Sequence, residues 1–279
     1  MDEGSPAGRG GRSHDIPAPQ EPADHPHFWN IWKRICLNAH DGPIDIVFGS
    51  EPYVDRLAAE LGAKPLIVDA GRLAFPLSGT AVRENPTSVW RFISGVVRLY
   101  FQKRVVLFGA ESTEKSTMAE WLAAEFQTVF VPEYGWTYDA DRKGGTWTDQ
   151  DFEAIAVGHE AMRAAIAPSA GPVLIDDTDP LLTRVWEEFL LGKSRHVDFD
   201  RPLADLYLLQ DIDMPWTDDG TRYQGDPAAR KAFHERCREL LREVGANWRL
   251  INGSVAERRA QCVTGIGSLS QSTSLCKTA

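Results

Sequence analysis

The sequence predicts an α/β protein built on a parallel sheet with helices on its faces. Short apolar runs recur at residues 44–48, 66–68, 104–108, 128–131, 173–175, 206–209 and 248–251, separated by helical patterns. Continuous runs of this length suit strands buried on both faces, and strand–helix alternation joins them by right-handed crossovers. A second observation sharpens the class. The run at 104–108 leads straight into Gly109, and an amphipathic helix opens near Lys115, which is the setting of a phosphate-binding loop.

Each element has a local reason. Val54, Leu57, Ala58 and Leu61 lie at helical spacing between the first two strands. Met118, Trp121, Leu122 and Phe126 form one later helix face, and Phe152, Ile155, Ala156 and Met162 form another. Asp226-Pro227 supplies an N-cap and a first-turn proline for a helix with core face Phe233, Cys237, Leu240, Leu241 and Val244. Residues 91–103 read as the join between two units. Prolines at 6, 17, 19, 22 and 26 make residues 1–27 a disordered leader. The Ser/Thr/Gly-rich stretch 264–279 predicts a flexible tail, drawn from residue 256 onward. The expected division is therefore 1–27, 28–100, 101–255 and 256–279.

Composition narrows the function. Among 279 residues, 30 Lys and Arg against 40 Asp and Glu give a net charge of −10, the opposite of a duplex-binding surface. No apolar run approaches the length of a membrane span. Four cysteines, Cys36, Cys237, Cys262 and Cys276, show no metal-ligand spacing, which predicts a reduced, cytoplasmic protein.

The loop Gly109-Ala-Glu-Ser-Thr-Glu114-Lys115-Ser116-Thr117 is the most informative stretch. In such a loop, backbone N–H groups and the helix N-terminus cradle the phosphates of ATP. The lysine reaches the β and γ groups, and the serine hydroxyl holds Mg2+. The expected nucleotide contacts are Gly109, Ser112, Thr113, Lys115, Ser116 and Thr117. Glu114 stands where the pattern has its second glycine, so bulk and negative charge are expected beside an anionic ligand.

Downstream, Asp176-Asp177-Thr-Asp179 follows a buried strand, where carboxylates face the ligand crevice of an open parallel sheet. Asp177 and Asp179 could hold magnesium, and Asp177 could instead accept a proton; the same residues could also simply cap a helix. Residues 215–223 place Arg222 in a glycine-containing loop that could close over transferred phosphates. His159, on the helix after the apolar run at 128–131, reads as a partly buried, satisfied histidine rather than a catalytic one.

Taken together, the segments Phe108–Thr117, Val131-Pro-Glu-Tyr-Gly135, Asp177-Thr-Asp-Pro-Leu181 and Trp216–Tyr223 resemble the NadR family of nicotinamide-nucleotide adenylyltransferases and ribosylnicotinamide kinases. His27–Trp32, Ser50–Tyr53 and Leu77–Arg83 are similar to the second half of that family's adenylyltransferase domain. The resemblance spans roughly residues 27–252. It implies a P-loop kinase-like sheet preceded by a partial Rossmann-like nucleotidyltransferase unit, with ATP and Mg2+ as cofactors and nicotinamide riboside as substrate. Lys115, Asp177 and Arg222 would be catalytic, and Glu133, Tyr134, Trp216 and Tyr223 would face the substrate. Ser78, Thr80 and Arg83 would bind ATP in the adenylyltransferase site, although Ser78 and Thr80 also suit a helix cap. The family's H-x-G-H signature occurs nowhere in the chain, so adenylyl transfer is expected to be absent. Trp136 stands where the family usually has arginine. Glu114 and Trp136 leave two other readings open, an impaired nucleotide- or partner-binding pseudoenzyme and a general P-loop ATPase.

Overall fold

The structure is a computed structural model that describes residues 18–142, 144–192, 202–215, 223 and 225–272. The chain divides into two compact units, Met1–Gly79 and Thr80–Ala279. The division falls some twenty residues before the join expected at 100/101. Trp90 explains the shift, because its indole N–H donates to the Ala170 carbonyl of the second unit.

In the first unit, α1 (Phe28–Ala39) precedes β1 (Ile46–Gly49), α2 (Tyr53–Leu61) and β2 (Lys64–Ile67). β1 and β2 pair in parallel, with Ile46 opposite Lys64 and Gly49 opposite Ile67. The crossover helix α2 ends at Gly62, whose φ of 71° lets its N–H close on the carbonyls of Ala58 and Ala59. Val54 and Ala58 are fully buried beneath it.

The second unit opens with α3 (Gly79–Glu84), a 3-10 turn (Pro86–Phe92) and α4 (Gly95–Phe101). The main run is then β3 (Lys103–Phe108), α5 (Lys115–Glu125), β4 (Phe130–Val131), α6 (Tyr134–Arg142), α7 (Asp149–Ile166), β5 (Val173–Asp177) and α8 (Pro180–Leu191). It closes with β6 (Leu206–Gln210), α9 (Pro227–Glu243), β7 (Trp248–Ile251) and α10 (Val255–Ser272). The five strands form one parallel sheet in the order β4-β5-β3-β6-β7.

Side-chain alternation along these strands feeds two cores. Val105, Leu107, Leu206 and Leu208 meet Met118 and Leu122 of α5 and Cys262 and Ile266 of α10. Val106, Phe108, Tyr207 and Leu209 meet Leu182 and Val185 of α8 and Phe233, Cys237 and Leu240 of α9. The expected flexible tail is corrected here: α10 runs to Ser272, and Cys262, Ile266 and Leu269 bury one face of it against the sheet. Its Ser/Thr/Gly content lowers intrinsic propensity, but tertiary burial of an apolar stripe outweighs that. α5 and α8 leave adjacent strands, β3 and β5, for opposite faces of the sheet. The crevice between those strand ends is where ligands bind in open parallel sheets.

Candidate functional site

The loop between β3 and α5 is shaped by its neighbours. Gly109 has φ 132°, and a Cβ there would come within 2.8 Å of the Gln210 carbonyl oxygen, so glycine is required. Thr113 is buried and donates its hydroxyl to the Ala110 carbonyl at 2.8 Å, and Lys115 Nζ donates to that same oxygen at 2.8 Å. Arg230 of α9 reaches across to the loop from outside. Its guanidinium donates to the carbonyls of Glu111 (3.3 Å), Ser112 (3.0 Å) and Met214 (3.1 Å). Arg230 thereby ties two loop carbonyls to α9.

Glu114 sits at the N-cap of α5 in the left-handed region, with φ 64° and ψ 28°. That conformation is what the pattern's glycine would supply. The side chain is exposed, and its carboxylate accepts a hydrogen bond from Thr117 Oγ1 at 3.0 Å. The expected carboxylate pressed against phosphates is therefore corrected. The side chain folds back over the first helical turn, and the cost of the substitution lies in the backbone.

At the end of β5, alternation separates the three aspartates. Asp177 lies on the loop side, hydrogen-bonded to Ser116 and attracted by Lys115, while burial pushes its carboxyl up. Its Oδ1 has no hydrogen-bond partner among the described residues. An orphaned buried oxygen next to a serine hydroxyl fits a hard divalent cation. Asp176 faces the other way and pairs with Arg104 Nε at 2.6 Å; burial pushes its carboxyl up and the guanidinium pulls it back. Asp179 does not fit the magnesium role expected of it. One oxygen caps α8 through the Leu181 N–H at 3.0 Å, and the other accepts from the Tyr207 hydroxyl at 2.9 Å and from Arg104. Its oxygens are committed to the fold, so the capping alternative holds for Asp179.

A cavity of about 110 Å³ opens beside the loop, with Lys115, Glu111 and Thr178 on its wall. Glu133 and Tyr134 also line it, as the sequence expects of substrate-facing residues. Gly158 makes room for Tyr134, whose ring would lie 2.1 Å from a Cβ at that position. Tyr223 joins the wall with three anchors. Its N–H donates to the buried Glu111 carboxylate at 3.0 Å and its hydroxyl donates to Asp139 at 2.7 Å. Its ring stands 6.3 Å from Trp147 and 6.2 Å from Trp186. Arg142 stacks on Trp147, 3.8 Å from its centroid.

Trp216 and Arg222 lie outside the described residues. Ser78 lies in the first unit, one residue before its end, and Thr80 and Arg83 stand exposed on α3 and do not line this cavity. Sequence reasoning missed Glu111, Asp139, Trp147, Trp186 and Arg230. Trp186 looks like an ordinary core residue of an apolar helix. Trp147 carried a signal, since it directly precedes Thr148, the N-cap of α7, at the mouth end of that helix.

A family model described as "AAA domain" matches residues 104–258. Two curated relatives, both called "Trifunctional NAD biosynthesis/regulator protein NadR", come from Salmonella typhimurium (strain LT2) and Escherichia coli (strain K12). Each is 30% identical over 229 residues, covering 78% of this chain and 56% of its own length. The chain thus spans about half the length of the curated relatives it matches. A crystal structure of NadR protein in complex with NR superimposes with a TM-score of 0.65 at 23% identity, covering 87% of this chain and 73% of the other. A second, of NadR protein with NAD and AMP-PNP, gives 0.62 at 23% identity, covering 90% and 76%. These structures share the fold.

Proposed function

The chain belongs to the AAA-domain family and is a homologue of the NadR proteins, and from that premise we propose that its second unit is an ATP-dependent kinase of nicotinamide riboside. The observation that carries the reading is the composition of one cavity. Lys115 stands at its phosphate-loop end, and Trp147, Trp186 and Tyr223 enclose its apolar part. Three carboxylates, Glu111, Glu133 and Asp139, line the same space. A cationic pyridinium ring is favoured by aromatic faces and by carboxylates alike. NadR protein was crystallised with NR, and in a second structure with NAD and AMP-PNP, which supports a pairing of riboside and nucleotide here.

The chemistry follows from the positions. The nucleoside 5′-hydroxyl attacks the γ-phosphorus of ATP, the bond to the β–γ bridging oxygen breaks, and ADP leaves. Transfer of this kind depends mainly on alignment and on neutralising charge at the phosphoryl oxygens. Lys115 supplies a point charge to the β and γ groups. The Ser116 hydroxyl and Asp177 Oδ1 would hold magnesium, which neutralises phosphate charge when bound. In the alternative role, Asp177 would accept the 5′-hydroxyl proton at that oxygen instead of holding magnesium. Arg222 would close over the phosphoryl group, and Trp216 or Tyr223 would stack on the nicotinamide ring.

Every residue given a role in this reaction lies in the second unit, and with no H-x-G-H in the chain we expect no adenylyl transfer from the first. The test is a coupled assay on purified protein with nicotinamide riboside and Mg-ATP. Equimolar nicotinamide mononucleotide and ADP support the reading, and ADP without the mononucleotide would point to a simple ATPase. Glu114 in a left-handed backbone conformation favours one rival, an impaired binding protein. That rival requires ATP titration to show no magnesium-dependent binding. NAD formed from nicotinamide mononucleotide and ATP would overturn the assignment of the first unit.

A further inference from the structure

His159 lies on α7 and lines the cavity in which the nucleoside is placed. α7 starts at the C-terminal edge of the sheet and runs down its face toward the N-terminal end of β5. Phe152, Ile155 and His159 follow one another down one side of it, and all three line the cavity. His159 is the deepest of them. It is 2% exposed, and its Nε2 has no hydrogen-bond partner among the described residues. A buried polar atom without a partner is destabilising, and such atoms in folded proteins commonly have a ligand or water to meet.

The surroundings keep this imidazole neutral. Burial, reinforced by the Arg104 and Arg163 guanidinium groups, lowers its pKa to about 4. A neutral imidazole carries one donor and one acceptor nitrogen, so it can bind a hydroxyl or an amide without repelling a cationic ring. A lysine or arginine in its place would oppose that ring.

We propose that His159 Nε2 is a hydrogen-bonding contact for the nucleoside at the floor of the cavity, on the side away from the phosphate loop. The proposal rests on the kinase reading above for the identity of the ligand, and on the orphaned nitrogen for the site. Nicotinamide riboside offers two groups of suitable chemistry, its ring carboxamide and its ribose hydroxyls.

The test compares the parent protein with His159→Leu, His159→Gln and His159→Asn, varying the nucleoside at saturating Mg-ATP and then the reverse. Leucine fills the space without a polar atom, glutamine reaches the position of Nε2, and asparagine falls short of it. The KM for nicotinamide riboside should rise about tenfold in the Leu and Asn variants, the size expected from one lost hydrogen bond. It should return most of the way in the Gln variant, with the KM for ATP unchanged throughout. A merely structural histidine would not produce that split. If the Leu variant fails to fold, the Gln-against-Asn comparison carries the test. Repeating it with a riboside of unsubstituted pyridine identifies the partner: the penalty vanishes if the carboxamide is bound and persists if the ribose is. Equal nucleoside KM in the parent and the Asn variant would overturn the proposal, as would a Gln variant no better than Asn. Calorimetric titration of the nucleoside alone separates the two claims. Binding weakened by the Asn variant, in a parent that does not turn over, overturns the kinase reading and keeps His159; a parent that binds no nucleoside overturns both.

Discussion

β1 and β3 are both parallel strands followed by a helix, yet they bury very different amounts of themselves. Phe48 on β1 is 73% exposed, while Val105, Val106, Leu107 and Phe108 on β3 are all fully buried. A parallel strand needs cover on both faces. β3 has it, from α5 and α10 on one side and α8 and α9 on the other. β1 and β2 form a two-stranded sheet, and Ile46, Leu66, Ile67 and Val68 as well as Phe48 remain exposed. The apolar residues that identify a strand are thus equally visible in both units. Whether they contribute stability depends on what lies over them, at roughly 1.5–3 kcal/mol for each large side chain fully buried.

That contrast can be broken or sharpened by experiment. The largest effect should come from Lys115→Ala, which removes the phosphate cation without touching either core of the second unit. Loss of a charge-stabilising contact of this type lowers turnover by on the order of 10²–10³-fold. Phosphoryl transfer should fall by that much in the coupled assay while the thermal transition stays in place. Arg83→Ala, exposed on α3, should leave the same assay unchanged. Next is a matched pair of truncations. Leu107→Ala should cost about 2–5 kcal/mol in denaturant unfolding, as large-to-small changes in a packed core do. Phe48→Ala should shift stability by no more than about 0.5 kcal/mol, as surface changes do. Equal effects would mean that the faces of β1 are covered in solution.

Arg230→Met tests how the loop is held. It keeps the bulk on α9 but leaves the carbonyls of Glu111, Ser112 and Met214 without their shared donor. Destabilisation of about 1–3 kcal/mol is expected, with a raised KM for ATP and an unchanged KM for the nucleoside. Of the two changes to the loop, Glu114→Gly should have the smaller effect. Relief of a left-handed backbone at a non-glycine residue is worth about 1–2 kcal/mol, offset by greater chain entropy in the unfolded state and by loss of the Thr117 contact. A net gain under about 1 kcal/mol is expected in thermal unfolding, with ATP affinity rising less than tenfold. A larger gain in affinity would mean that the carboxylate swings inward when ATP binds.

Much of the fold was legible because its causes are local. Asp226-Pro227 marked the start of α9, and the Asp226 side chain does accept the Ala228 N–H at 3.1 Å. The apolar runs located the strands, and Gly109 and Lys115 located the loop. α10 was not legible, because serine, threonine and glycine disguise a helix whose buried stripe is recognised only against β6 and β7. A satisfied His159 is what burial usually implies; the residue instead lines a cavity, and its Nε2 has no partner among the described residues.

The sequence by itself determined the strand–helix alternation, the phosphate loop and the acidic end of β5, since each depends on neighbours a few residues away along the chain. Only the tertiary structure decided which aspartate lies beside the phosphate loop. Alternation along one short strand sends Asp177 toward Lys115 and Ser116 and Asp176 toward Arg104, and the cap of α8 engages Asp179. It also assembled the cavity, bringing Glu111, Trp147, His159, Trp186 and Tyr223 together from five separate segments. No local pattern encodes such a meeting, because the contacts span tens of residues and exist only once the sheet has brought those segments side by side.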